Sequence, residues 1–153
     1  MQFSASFVAL VKCLFAVAAA TTVAAVPASG NSGESLASTF VVSQAEMAHW
    51  LATTDAVLTF VGEAPNPLAA QQTTVTYCSF RSGNVCGGEC TVYRGGATCL
   101  DAPATECLSA TADVSFCDRA GCSDLCNQLD SCATRLNDGF CFTPGTESIA
   151  VPP

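Results

Sequence analysis

Residues 85–100 read VCGGECTVYRGGATCL, and this stretch decides what class of fold the chain can adopt. It places three cysteines and four glycines in sixteen positions. Cysteines at such density act as disulfide staples, metal ligands or nucleophiles, and each role implies a different kind of protein. The remaining cysteines, the N-terminal leader and the charge of the chain discriminate among these roles.

Ten cysteines follow the leader, and all of them lie in the C-terminal half of the chain. An even number of cysteines in a chain that passes through an oxidising compartment predicts that all are paired, here in five disulfides. The pairing stays open, although a Cys90–Cys99 bridge is feasible if Arg94 and Gly95 form a two-residue hairpin loop. The ten are Cys78, Cys86, Cys90, Cys99, Cys107, Cys117, Cys122, Cys126, Cys132 and Cys141.

The two other roles of cysteine fit the sequence less well. Cys86-x3-Cys90 and Cys122-x3-Cys126 have spacings that a four-cysteine zinc site allows, but thiolate zinc sites are mostly intracellular. A nucleophilic cysteine needs a base nearby, and the single histidine, His49, lies outside the cysteine-rich half. We therefore predict no metal, no cofactor and no catalytic residue.

The first 25 residues have the features of a secretory signal peptide. Residues 13–26 are apolar or threonine, a length that suits a signal peptide better than a membrane span. Lys12 interrupts the longer apolar stretch where a charge is costly in a bilayer. Val23 and Ala25 place small residues at the −3 and −1 positions, so we predict cleavage after Ala25, with Ala20, Ala24 and Ala28 as rival sites. The protein is then secreted and extracellular, with no membrane association in its mature form.

The charge of the chain excludes two classes of partner. The chain has 13 acidic residues and five basic ones, and loss of the leader removes Lys12 and leaves four arginines. Affinity for nucleic acid and for anionic membranes comes largely from lysine and arginine. We therefore expect neither nucleic acid nor a membrane surface as a partner.

Upstream of the cysteines the sequence predicts one helix and two strands. Residues 26–38 are rich in Ser, Gly and Pro and read as a flexible segment. Ser43 and Glu46 have the form of a capping box that starts a short helix with Met47 and Trp50 on its apolar stripe. Residues 56–61 and 73–80 are rich in β-branched and aromatic residues and read as strands, with Phe60 in the core.

The cysteine-rich half predicts a hairpin, a second helix and a last strand. Strands at 89–93 and 97–100 would flank Arg94-Gly95-Gly96 as a hairpin. Residues 101–113 read as a loop with a helical turn at 105–110. Apolar residues at three- and four-residue steps predict an amphipathic helix from Ser123 to Leu136. Phe140–Phe142 would begin a strand, and Thr143-Pro144-Gly145 would turn the chain.

The fold class that follows is a small disulfide-rich α+β domain of short antiparallel strands with one or two short helices. Its predicted boundaries are a signal peptide at 1–25, a flexible segment at 26–38 and a single domain at 39–153. Within that domain, residues 78–141 form the ten-cysteine, disulfide-stapled region. A core this small is marginal alone, and each bridge adds about 2–4 kcal/mol by restricting the unfolded chain.

Three stretches resemble one group of fungal proteins. They are NVCGGECTVYRGGATCLDAPATECLSATADVSFCD, GFCFTPGTESIAVPP and the upstream HWLATTDAVLTFVG. Together they are similar to small secreted cysteine-rich proteins of basidiomycete fungi, over most of the mature chain. The resemblance implies an extracellular compartment and a class of protein, and it supplies no activity and no site residues.

The function that these features favour is that of a non-enzymatic, effector-like or cell-surface interaction protein. Disulfides and glycine turns leave loops exposed on a rigid frame, and such loops bind partners. We single out two loops as candidate binding sites, one with Arg94, Gly95 and Gly96 and one with Arg119, because cations are scarce in this chain. The partner is unknown, with a cell-wall glycan or a host or competitor protein as the candidates.

Three alternatives remain open at this point. A carbohydrate-binding module would use Trp50, Tyr77, Tyr93 and Phe142 as stacking faces. A protease inhibitor would present a rigid loop. A carboxylate-based hydrolase would use two of the residues Asp101, Glu106, Asp113, Asp118 and Asp124 at a suitable separation.

Overall fold

A computed structural model describes residues 40–64, 72–123 and 125–153 of the chain. The predicted signal peptide at 1–25 and the predicted flexible segment at 26–38 lie outside the described residues. No helix in these described ranges has the length and apolarity needed to cross a membrane. The elements in chain order are α1 (Gln44–Thr53), β1 (Val57–Gly62), β2 (Thr73–Ser82), β3 (Val85–Gly95), β4 (Thr98–Ala110), β5 (Ser115–Cys117), β6 (Cys126–Gln128), 3₁₀ turns at Leu129–Ser131 and Asn137–Gly139, and β7 (Cys141–Val151).

The strands of the described part of the chain form one seven-stranded sheet in the order β1-β3-β2-β4-β7-β5-β6. Its pairs are antiparallel, except that β1 runs parallel to β3. The protein is therefore small, disulfide-rich and mostly sheet, so the predicted α+β class holds only in part. Three of its strands are not short, because β3, β4 and β7 contain 11, 13 and 11 residues.

The tight hairpin of the sheet lies one strand earlier than predicted. Ser82 pairs with Val85, which leaves Gly83 and Asn84 as a two-residue loop between β2 and β3. Gly83 has φ of +58°, as the first central residue of a type II′ turn requires. The predicted hairpin around Arg94-Gly95-Gly96 is wrong, because β2 lies between β3 and β4 and pairs with both.

β4 bends sharply, which folds the sheet around a core. Tyr77 pairs with Leu108, yet its hydroxyl donates to the carbonyl of Asp101 at 3.3 Å. A straight strand would place residues 101 and 108 about 23 Å apart, beyond the reach of one tyrosine. The bend follows Pro103, which has no N–H to donate, and it coincides with a register shift against β7. The predicted loop at 101–113 and its helical turn are thus wrong, since most of this segment is strand.

β7 passes through a matching irregularity at Pro144 and Gly145 and continues as a strand. The predicted turn at Thr143-Pro144-Gly145 is therefore a bend inside β7 and not its end. The core that the two bent strands enclose contains residues from distant strands, among them Val75 of β2, Leu108 of β4 and Ile149 of β7, all fully buried. Val151 closes this core near the end of the chain and is also buried.

Helix α1 begins where the sequence predicts and covers the other face of the sheet. Ser43 Oγ accepts a hydrogen bond from the N–H of Glu46 at 3.1 Å, and Glu46 Oε2 accepts one from the N–H of Ser43 at 2.8 Å. This confirms the capping box. Met47 and Trp50 are buried as predicted, and the Trp50 ring packs on Phe140 with centroids 4.8 Å apart. A second core lies beneath the helix: Trp50, Cys78, Cys86, Cys90, Cys107, Leu136 and Phe140.

The capping box makes the start of α1 sensitive to acid. Hydrogen bonds from Ser43 hold the pKa of the Glu46 carboxyl below its usual value of 4.5. The stabilisation is therefore fully present above about pH 4.5 and is lost as the pH falls through the lower pKa of the folded state. Acid unfolding followed by Trp50 fluorescence should show this loss in the wild type. In Glu46→Gln, where an uncharged acceptor remains, the difference in unfolding free energy from wild type should shrink as the pH falls; a constant difference would contradict the assignment.

The predicted helix from Ser123 to Leu136 is wrong. Cys126–Gln128 form β6, and Leu129–Ser131 form a 3₁₀ turn. Leu125 has φ of +52°, which an α-helix excludes, and 65% of its surface is exposed. Leu129, Cys132 and Leu136 are all buried. Their helix-like spacing in the sequence therefore arises from an irregular segment that directs three separate side chains into the core.

Candidate functional site

The described cysteines form five disulfides, which confirms the predicted disulfide framework. The bonds are Cys78–Cys90, Cys86–Cys107, Cys99–Cys122, Cys117–Cys126 and Cys132–Cys141. The Cys90–Cys99 bridge that the sequence made feasible does not form, because β2 separates the two strands. The four cysteines with zinc-like spacing each bond to a cysteine outside that set, and no cluster suited to a metal ion occurs in the described residues.

Two of the bridges cross directly between paired strands. Cys78 lies opposite Cys90 on β2 and β3, and Cys117 lies opposite Cys126 on β5 and β6. The other three connect segments that are not neighbours in a ladder of the sheet or that lie outside it. The disulfides therefore link neighbouring strands of the sheet and also connect the sheet to segments outside it. These links fix the positions of the surface loops and strands.

Exposed apolar side chains are concentrated on the strands at the β1 side of the sheet. Six large apolar side chains are exposed among the described residues, and five of them belong to the adjacent strands β1, β3 and β2. We call these five the apolar edge: Val57, Phe60 and Val61 on β1, Phe80 on β2 and Val85 on β3. The sixth, Leu125, lies just before β6. Phe60 is 60% exposed, so its predicted place in the core is wrong.

β1 occupies this position because its C-terminal end fits closely against β3. Gly62 has φ of +87°, and a Cβ there would lie 2.2 Å from the carbonyl oxygen of Arg94. The N–H of Glu63 then donates to that same oxygen at 2.8 Å. Only glycine allows this approach, so Gly62 sets where β1 ends on the sheet.

A shallow pocket adjoins the apolar edge and contains the first predicted binding residue. We call it the Arg94 pocket; its volume is about 450 Å³, and Phe60, Val61, Val92, Glu63 and Arg94 are among its lining residues. Glu63 Oε2 accepts a hydrogen bond from Gln72 Nε2 at 2.7 Å. The pocket thus combines an apolar wall with one cation and one anion.

Gly95 and Gly96, singled out with Arg94, lie beside the side chain of Tyr93. Gly95 is buried, and a Cβ on it would lie 2.3 Å from the hydroxyl oxygen of Tyr93. That hydroxyl donates to the carbonyl of Gly96 at 2.8 Å. Burial, and secondarily the charge of Glu63, raise the pKa of the Tyr93 hydroxyl. Gly95 is thus the last residue of β3, and Gly96 lies in the turn to β4; their part in binding stays a prediction.

Arg119 lies in an exposed loop that is fixed at several points. Its carbonyl accepts a hydrogen bond from Ser148 Oγ at 2.5 Å, and the same Oγ accepts one from the N–H of Cys122 at 2.9 Å. The Cys99–Cys122 bridge connects this loop to the start of β4. The two loops singled out from the sequence are thus connected through that bridge, since β4 begins two residues after Gly96.

A larger and more polar cleft lies beside the helix, and we call it the α1 cleft. Its volume is about 770 Å³. Glu46, His49 and Trp50 line it from the helix, and Arg135 and Asp138 line it from the opposite side. The Arg135 guanidinium also covers the Phe40 ring, 4.4 Å from its centroid. Asp138 has φ of +57°, so its backbone adopts a left-handed conformation at the cleft rim.

Of the four aromatic residues considered as sugar platforms, Trp50 alone lines either cavity. Tyr77 is half-buried and directed at the carbonyl of Asp101, and burial is the main cause of its raised pKa. The hydroxyl of Tyr93 is bonded to Gly96. The Arg81 guanidinium lies over the ring of Phe142, 4.1 Å from its centroid.

The carboxylates considered for hydrolysis are not gathered in either cavity. Asp101, Glu106, Asp113 and Asp118 line neither the Arg94 pocket nor the α1 cleft. Asp113 Oδ1 accepts a hydrogen bond from the N–H of Asp130 at 3.0 Å, which is a structural contact. Asp124 lies outside the described residues.

A scan against protein-family models and searches of curated proteins and of solved structures found no match for this chain.

Proposed function

We propose that this chain is a secreted, non-enzymatic interaction protein that presents the apolar edge to a partner outside the cell. One observation carries the proposal: the exposed large apolar side chains of the described residues are concentrated on three adjacent strands. Scattered single apolar residues are ordinary on a protein surface, whereas their concentration on neighbouring strands favours an interaction site there. Desolvating such side chains on binding is the main favourable term in protein association.

The extracellular assignment has separate support. Five disulfides in a chain of 153 residues are typical of proteins that mature in an oxidising compartment. The leader at 1–25 and the resemblance to secreted basidiomycete proteins predict the same compartment. Together they favour an effector-like role, in which the partner is a host, competitor or cell-surface component.

Secretion and the bridges are tested by intact mass. We expect the protein from the culture medium of its producing organism to begin at Val26. On reduction it should gain two hydrogens for each of five bridges. Retention of the leader would contradict secretion, and a smaller gain in mass would reveal free thiols.

The interaction surface is tested by binding to cells. Fluorescent mature protein should bind the walls of the producing organism or the surface of its host. Phe80→Lys, which places a charge at the hairpin end of the apolar edge, should weaken this binding by about tenfold or more. Leu125→Lys makes the same change at an exposed apolar residue remote from the edge and is the matched control. Equal loss in both variants, or in neither, would contradict a role for this surface.

A second candidate is carbohydrate binding in the α1 cleft, because Trp50 lines this cleft with groups that can bond sugar hydroxyls. Chitin and β-glucan are the probes. In this case His49→Ala and Asp138→Asn should each reduce retention on the glycan, while Phe80→Lys should not. Asparagine tolerates the left-handed backbone at position 138, so the second variant preserves the fold. Failure to recover the wild type on either glycan would remove this candidate.

A further inference from the structure

We propose that the partner which pairs with β1 is a second copy of this chain, added strand to strand across the open side of the sheet. The inference rests on the proposed interaction function and names the occupant of the β1 part of the apolar edge. β1 is the outermost strand of the sheet and pairs only with β3 in the described residues. Its outer backbone N–H and C=O groups therefore face away from the sheet and can accept another strand.

β1 lacks the devices that normally prevent such pairing. Proteins protect sheet edges with short strands, charged residues, prolines or bulges. The six residues of β1, VLTFVG, include no charge and no proline. The opposite edge, β6, has three residues, and they are Cys, Asn and Gln. One edge of the sheet is thus short and polar, while the other is longer and apolar.

The side chains of β1 add an apolar component on both faces of the strand. Val57 and Val61 point to one face and are 66% and 41% exposed. Phe60 points to the opposite face, as successive residues of a strand do. A strand that pairs here would cover apolar surface on each face in addition to satisfying the backbone.

β1 is complementary to itself. If the two copies are related by a two-fold axis perpendicular to the sheet, their β1 strands lie antiparallel, and the same face of each sheet is on the same side of the joined sheet. The register centred on Phe60 sets Phe60 opposite its equivalent and Thr59 opposite Val61, and aromatic and β-branched pairs of this kind stabilise antiparallel ladders. The register centred on Thr59 would instead set Asp55 opposite Glu63, two like charges, and is disfavoured. Of these two registers, the one centred on Phe60 is therefore favoured.

A second copy also fits the charge of the chain. The protein is acidic, so two copies repel each other over most of their surface. β1 is uncharged from Val57 to Gly62, so the strand itself sets no like charges opposite each other in this register. Two six-residue strands give an interface at the small end of specific contacts, and we expect a dissociation constant of about 10 µM or weaker.

Sedimentation velocity on the mature, disulfide-intact protein, from about 1 µM to about 1 mM, tests the dimer. We expect a concentration-dependent shift from monomer to dimer, accompanied by slower hydrogen exchange of the β1 amides at high concentration. Phe60→Lys should weaken the dimer at least about tenfold, because two lysines would then oppose each other. Leu125→Lys should leave it unchanged, and near-UV circular dichroism checks that both variants remain folded.

Each outcome decides the inference independently of the proposed function. A monomer throughout this range, or a dimer that Phe60→Lys leaves intact, would overturn the pairing. Protection of β1 only in the presence of another protein would replace the second copy by a foreign partner. Cell-surface binding that Phe80→Lys abolishes, in a protein that stays monomeric, would leave the proposed function standing while the dimer falls. A dimer without cell-surface binding would leave the dimer standing while the proposed function falls.

Discussion

Replacing Cys86 and Cys107 together by alanine should lower the free energy of unfolding by about 4–5 kcal/mol. The bridge closes a loop of 21 residues, and its loss frees the unfolded chain by about 3 kcal/mol. The remainder comes from packing, because both cysteines are buried in the core beneath α1 with Trp50 and Phe140. Removing the buried sulfur atoms leaves cavities, and a sheet held by the other disulfides cannot rearrange to fill them, which lowers the stability.

The matched control is the pair Cys117 and Cys126. It also crosses between strands, but its loop spans nine residues and Cys126 is exposed. Its double alanine variant should therefore cost only about 2–3 kcal/mol. Urea unfolding of both variants, with Trp50 fluorescence as the signal, measures the difference. Equal costs would show that the core beneath α1 does not depend on its disulfide.

Gly139→Ala should destabilise the protein by about 2–5 kcal/mol. A Cβ at this position would lie 2.0 Å from Val42 Cγ1, and the residue has φ of +73°. Valine is stiff at χ1, and Val42 is held by a backbone hydrogen bond from its N–H to Ala110 at 3.0 Å. The backbone conformation and the overlap are therefore both costly, about 1–2 kcal/mol for the first and about 1–3 kcal/mol for the second.

Gly121→Ala separates the two contributions. Gly121 has φ of +83°, but a Cβ there would meet nothing within 4 Å. This variant should lose only about 1–2 kcal/mol, the cost of the backbone conformation. Thermal unfolding of both variants measures the difference. If the two lost the same stability, Val42 would have moved without cost, and the segment at 137–139 would be held less tightly than its contacts indicate.

Local signals in the sequence located several elements correctly. The capping box at Ser43 and Glu46 predicted the start of α1, because a cap needs only residues within one turn. Runs of β-branched and aromatic residues predicted β1, β2 and the start of β7. These signals succeed because the interactions that produce them lie within a few residues of one another.

The predicted second helix failed for a physical reason. A spacing of three and four residues indicates a helix only if the chain between the apolar residues is helical. From Leu125 to Leu136 the chain is instead tied by Cys126 to β5 and by Cys132 to β7, and Leu125 adopts a left-handed conformation. Non-local covalent bonds thus overrode a periodic pattern.

The candidate site was the least predictable feature. Arg94 does line a pocket, but the apolar wall beside it comes from β1, a strand more than thirty residues earlier in the sequence. Phe60 reads as core because aromatic residues usually are buried. Its exposure depends on β1 being the outermost strand, and strand order cannot be read from any single segment.

The sequence by itself determined the class of this protein: an even set of cysteines after an N-terminal stretch that reads as a leader, an excess of acidic residues, one capped helix and several β-rich segments. These features depend on composition and on interactions between residues close in sequence. They are therefore the same wherever the segment lies in the fold. The tertiary structure alone decided which cysteines pair, that β2 separates β3 from β4, and that β1 ends the sheet with Val57, Phe60 and Val61 exposed. These depend on contacts between residues far apart in the chain, where many arrangements satisfy the same local preferences and only the packing of the whole core selects one.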